Sequence, residues 1–86
     1  MPEISRFFGI VIQMHFNDHP PPHFHAKYGE FKASIEIETL AVSDGYLPSR
    51  VYGLTIEWAS LHEDELREAW NRVSQHESPG KIAPLT

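Results

Sequence analysis

The 86 residues suffice for one domain and not for two, and a content of 41% hydrophobic and 12% aromatic residues is ample for a packed core. The absence of cysteine excludes a disulfide framework, a thiolate metal site and a cysteine nucleophile. The formal net charge is −5, and because Arg6, Lys27 and Lys32 balance Glu3, Asp18 and Glu30, all of that excess lies beyond Lys32, a distribution unlike the basic face of a general DNA binder.

Phe8–Phe16 reads as the first strand: Phe8, Ile10, Ile12, Met14 and Phe16 alternate with Gly9, Val11, Gln13 and His15. Asn17–Pro22 breaks that ladder, since three consecutive prolines donate no hydrogen bond and hold an extended path. His23–Tyr28 and Phe31–Glu38 read as two further strands joined at Gly29-Glu30, a pair suited to a two-residue type II′ turn. That turn sets Tyr28 opposite Phe31, Ala26 opposite Ala33 and Phe24 opposite Ile35 on an apolar face. Lys27 then faces Lys32, His25 faces Ser34 and His23 faces Glu36 on the other.

Beyond Glu38 the apolar parity shifts to Leu40 and Val42, which predicts a bulge or bend leading to a turn at Ser43-Asp44-Gly45. Tyr46-Leu47 can add a short extended piece, and Pro48 ends it. Ser49 suits an N-cap, and Val51, Leu54, Trp58, Leu61, Leu66, Ala69, Trp70 and Val73 recur at helical steps. The spacing predicts one long helix, although Ser60-Leu61-His62-Glu63 also matches a capping box that would break it. Ser78-Pro79-Gly80 stops the helix. The expected fold is α+β: an antiparallel sheet of three to four strands with one long C-terminal amphipathic helix on one face. The domain spans residues 1–77, and 78–86 form a tail that is mobile unless it docks.

The other sheet face is left for function, and the chemistry gathers at Asp18–His25. Alternation puts His23 and His25 on the open face, opposite Phe24. If the first strand pairs with the second across the prolines, face-matching sets His15 opposite His23. His15, His23, His25, Ser34 and Glu36 then share a patch beside Lys27 and Lys32, with Asp18 and His19 at its rim.

Three chemistries suit such a patch. Two imidazoles at H-x-H spacing can share a divalent metal such as zinc, with Asp18, His19, His23 and His25 as candidate ligands and Glu36 as a further one. His23 and His25 with Lys27 or Lys32 can cleave RNA by general acid–base catalysis without a metal. The third is recognition of a protein or nucleotide by a rigid polar edge. The plain alternative is a set of ordinary exposed strand histidines beside a loop that fixes register, for H-x-H alone is a weak signal. Trp58 and Trp70 read as core, and Glu63-Asp64-Glu65 as a solvated face. No signal-peptide pattern or membrane-length apolar run is present, since Phe7–Ile12 is short and interrupted by Gly9. The expected location is the cytoplasm, and an unpaired strand edge leaves room for a homodimer.

Met1-Pro2-Glu3-Ile4-Ser5 leading to Gly9-Ile10, then Asp18-His19, Pro21-Pro22-His23-Phe24-His25-Ala26 and Tyr28-Gly29, resemble the bacterial domain-of-unknown-function family numbered 4160. Leu47-Pro48-Ser49-Arg50 and the Trp58, Leu66, Trp70 spacing fit it as well. The resemblance implies a prokaryotic component of a toxin–antitoxin-type pair with a small protein partner. It assigns no catalytic residue.

Overall fold

A computed structural model describes residues 2–86 and places them in five strands and two helices. The strands are β1 (Glu3–Phe7), β2 (Ile10–Gln13), β3 (His23–Tyr28), β4 (Phe31–Glu36) and β5 (Val42–Tyr46). They form one antiparallel sheet in the order β1-β2-β3-β4-β5, each strand beside its neighbour in sequence. The helices α1 (Ser49–Leu61) and α2 (Glu63–Ser74) follow. The α+β class is as expected, with one strand and one helix more than the sequence suggested.

The extra strand comes from a turn inside the apparent first strand. Phe8 and Gly9 both take positive φ, 49° and 81°, the combination of a two-residue type I′ hairpin. The chain therefore reverses there, and Glu3–Phe7 pairs back on Ile10–Gln13. Ile10, Ile12 and Met14 stay on the buried side as their alternation requires, while Phe8 is 59% exposed at the turn.

Between β3 and β4 the expected pairing holds residue for residue, from His23 opposite Glu36 to Tyr28 opposite Phe31. Gly29 supplies the positive φ of 59° at the first turn position. The pairing of β2 with β3 also follows the expected register: Gln13 lies opposite His25 and Val11 opposite Lys27. Continued by two residues, it sets His15 level with His23, although the ladder itself ends at Gln13.

The turn expected at Ser43-Asp44-Gly45 is instead part of β5, and the reversal comes earlier, at Ile37–Thr39. The bulge or bend expected beyond Glu38 corresponds to this reversal, and a separate register shift lies between Ser34 and Ile35 in the β4–β5 pair. Gly45 sits opposite Ala33 with φ of 82°, and a Cβ there would collide with the Lys32 carbonyl oxygen. Its turn-like signature belongs to an irregular edge strand.

The helices cover one sheet face. Val51, Thr55, Trp58 and Ala59 of α1 and Leu66, Ala69 and Val73 of α2 are buried with Ile4, Ile10, Ile12, Phe24 and Ile35 of the sheet. Trp58 lies at the centre, its ring 5.4 Å from that of Phe7 and 5.9 Å from that of Phe24. The single long helix is corrected to two, broken at His62 (φ −129°, ψ 30°). The residue flanking α1 is Pro48, with Ser49 already helical. The acidic run Glu63-Asp64-Glu65 fills the first turn of α2, where negative charge suits the helix dipole.

The final segment docks. Pro79 and Ile82 are buried, the Ile82 amide donates to the Ile4 carbonyl at 2.8 Å, and the Trp58 indole donates to the Ala83 carbonyl at 2.8 Å. This closes the β1 edge and leaves β5 as the open one. No helix among the described residues is long and apolar enough to cross a membrane.

Candidate functional site

The uncovered sheet face carries the histidines. Asp18, in the loop after β2, points its Oδ2 at two rings: His25 Nε2 at 2.8 Å and His23 Nε2 at 3.3 Å. All three side chains are about four-fifths buried, with relative exposures of 21% for Asp18, 20% for His25 and 15% for His23. His15 stacks on His25, ring centroids 3.9 Å apart and planes 24° from parallel. His15, Asp18 and His25 each present a ligand atom, and the three atoms lie within 4.8 Å of one another.

The proline loop shapes the cluster through its carbonyls. Prolines donate no backbone hydrogen bond but accept normally. The Pro22 carbonyl accepts from the Ile37 amide at 3.0 Å, which ties the loop to the end of β4. The Pro21 carbonyl lies 2.9 Å from His23 Nδ1. A carbonyl has no hydrogen to give, so His23 Nδ1 carries the proton and Nε2 is the nitrogen turned to Asp18. The Pro20–Pro21 bond is cis. Trp70 of α2 packs its ring 5.3 Å from that of His23, so the same helix that fills the core also backs the site.

His25 is held at both nitrogens, by Asp18 on Nε2 and by the Ser34 hydroxyl at 3.1 Å from Nδ1. A hydroxyl both donates and accepts, so Ser34 is compatible with a proton on either ring nitrogen. Burial pulls the His15 pKa below the ordinary imidazole value, the charge of His25 adds to this, and Asp18 opposes it. At neutral pH His15 therefore keeps an unprotonated nitrogen, the form that binds metals. For Asp18, burial is the largest single influence and pushes upward. The hydrogen bond from His25 and the charges of His25, His23 and His15 together outweigh it and hold the carboxyl below its usual range.

Of the residues singled out from sequence, the structure brings His15, Asp18, His23, His25 and Ser34 together. Lys27 and Lys32 lie further along the same face and line a pocket with His15 and His25. His19 is exposed and outside the cluster, and Glu36 bonds Thr39 (3.4 Å) instead of a histidine. Three contributors escaped the sequence reading. The Pro21 carbonyl left no side-chain signal, Trp70 reads as core by its helical spacing, and Asp44 was hidden in an apparent turn.

Two imidazoles with anchored Nδ1 atoms, turning Nε2 toward one carboxylate oxygen, form a typical ligand arrangement for a divalent transition metal. Ligands about 2.0 Å from a tetrahedral zinc stand about 3.3 Å apart. The 3.3 Å His23–Asp18 spacing already meets this, and the 2.8 Å His25–Asp18 hydrogen bond must open by about half an ångström. His23 lies outside the group of His15, Asp18 and His25 and reaches it through its 3.3 Å approach to Asp18.

No match is found among curated proteins or solved structures. Residues 9–71, which include the whole histidine cluster and most of both helices, match the family model described as Domain of unknown function (DUF4160), and the chain belongs to that family.

Proposed function

We propose that this protein is a divalent-metal-binding domain, zinc being the best fit, with His23, His25, Asp18 and His15 as ligands on the open sheet face. We also propose that this face is the working surface of one member of a toxin–antitoxin-type protein pair. The second proposal comes from the sequence resemblance and the first from geometry. The observation that carries the first is the 2.9 Å contact of His23 Nδ1 with the Pro21 carbonyl, an oxygen that can only accept and so places a proton on Nδ1. With that proton placed, Nε2 turns to the Asp18 carboxylate either a second proton or a lone pair. A lone pair facing a carboxylate is repulsive unless a cation sits between them. The site is built to hold a positive charge, and a second histidine and a stacked third extend it to a full ligand set.

Metal-free acid–base cleavage of RNA by His23, His25 and Lys27 is less well supported. His25 has both ring nitrogens engaged and His23 has Nδ1 engaged, so little imidazole is turned toward a substrate in the neighbouring pocket. The test is metal analysis of chain purified without a histidine tag and dialysed against zinc. One zinc per chain is expected in the wild type, falling at least tenfold in affinity in folded His23→Ala and Asp18→Asn variants. Sub-stoichiometric zinc in the wild type would refute the metal reading. Growth arrest on inducing the chain alone, relieved by His23→Ala/His25→Ala, would support the toxin side of the pair. Normal growth together with no co-purifying small protein would count against the pair.

A further inference from the structure

The pocket next to the histidines holds a feature that metal binding does not use. Its volume is about 280 Å3, and Gln13, His15, His25, Lys27, Lys32 and Asp44 are among its walls. Lys27 and Lys32 are directly opposite one another in the β3–β4 register, which puts their Cβ atoms about 5 Å apart on the same face. Like charges in that relation are destabilising. Neither lysine makes an ion pair with a carboxylate among the described residues. In a chain of net charge −5, with twelve acidic residues available as partners, two exposed lysines set opposite one another with no carboxylate partner favour an anion between them.

We infer that this pocket is a subsite for the phosphate group of a small phosphorylated ligand, a nucleotide or sugar monophosphate. The two ammonium groups supply the charge, and the Gln13 side-chain amide supplies a neutral donor beside them. Asp44 and Gly45 of β5 also line the pocket. The ligand is small for two reasons. The volume, about 280 Å3, falls just below the roughly 300–1,000 Å3 of small-molecule sites. The positive spot is also hemmed in by Asp44, opposite Ser34, by Glu36, opposite His23, and by Asp18, so a polyanion laid along the sheet meets carboxylates on either side. The subsite stands on the lysine pair and does not depend on the metal, although a ligand seated there would have His15 and His25 for neighbours.

Calorimetric titration of the EDTA-treated, tag-free chain tests the inference, with inorganic phosphate, uridine 5′-monophosphate and a single-stranded RNA hexamer lacking terminal phosphates as probes. Saturable binding of inorganic phosphate and of the nucleotide is expected, weakened about tenfold or more by Lys27→Gln or by Lys32→Gln. Because the lysines repel each other, the melting temperature of unliganded Lys27→Gln/Lys32→Gln should equal or exceed that of the wild type. Absence of saturable binding, binding indifferent to both substitutions, or tighter binding of the hexamer than of the nucleotide would each overturn the inference. A fall in melting temperature of the double variant would also do so, by giving the lysines a structural role. Zinc content measured on the same variants should stay at the wild-type level, which keeps this result separate from the fate of the metal centre.

Discussion

Asp18 is the residue on which the site turns, because one carboxylate oxygen serves two imidazoles. Its depressed pKa gives a stability signature with a definite sign. A carboxylate whose folded value lies below its unfolded value, about 3.9, adds stability that is fully present above the unfolded value and is lost as pH falls through the folded one. In metal-free protein, Asp18→Asn should therefore cost about 1–2 kcal/mol at pH 5, and the cost should be smaller at about pH 3, below the unfolded value. Urea midpoints of the two proteins at both pH values check this. A difference that persists undiminished into acid would mean that Asp18 matters for packing and not for its charge. At this scale much was legible: H-x-H spacing and strand alternation put His23 and His25 on one side, and the proline loop pointed to rigidity. The partner of His23 Nδ1 was not legible, because it is a backbone carbonyl whose direction depends on the loop path.

Among the elements, the β3–β4 hairpin was readable because a Gly-X turn and two alternating strands agree on one register. The two ends of the sheet were not. Phe8-Gly9 hides a turn, since an aromatic residue rarely takes positive φ and Phe8 also continues the apolar alternation of β2. The helix break is hidden for a similar reason. Trp58, His62, Leu66, Ala69 and Val73 keep steps of three and four straight through it, so the apolar stripe stays in phase across both helices. Leu61, 66% exposed, is the residue out of place in a continuous stripe. At β5, Gly45 looked like a turn residue but serves the close approach of two backbones. Gly45→Ala should therefore destabilise the fold by at least about 1–2 kcal/mol, from positive φ alone, with more from the collision with Lys32. Chemical denaturation would measure it, and a neutral result would show that β5 is free to shift away from β4.

Over the whole molecule the two sheet faces divide the work. One is closed by α1, α2 and the returning C-terminal segment, which binds β1 through Ile82 and the core through the Trp58 indole. The other keeps its polar side chains. The docking of residues 78–86 was not readable, because one buried isoleucine and two backbone carbonyls leave no periodic signal. The division of faces was readable, since it follows from alternation alone, and it is what lets a chain this small hold a core and a site on one sheet. Lys27 and Lys32, opposite one another, also explain how a chain of net charge −5 presents a locally positive spot. The central claim is that His23 and His25 offer Nε2 to a metal while their Nδ1 atoms stay anchored to the protein. Long-range nitrogen–proton NMR of the imidazole rings during a zinc titration tests it most directly. At one equivalent of zinc, the Nε2 resonances of both rings are predicted to move to metal-bound positions, with Nδ1 of each ring carrying the proton. Nε2 resonances unchanged at that stoichiometry would contradict the account.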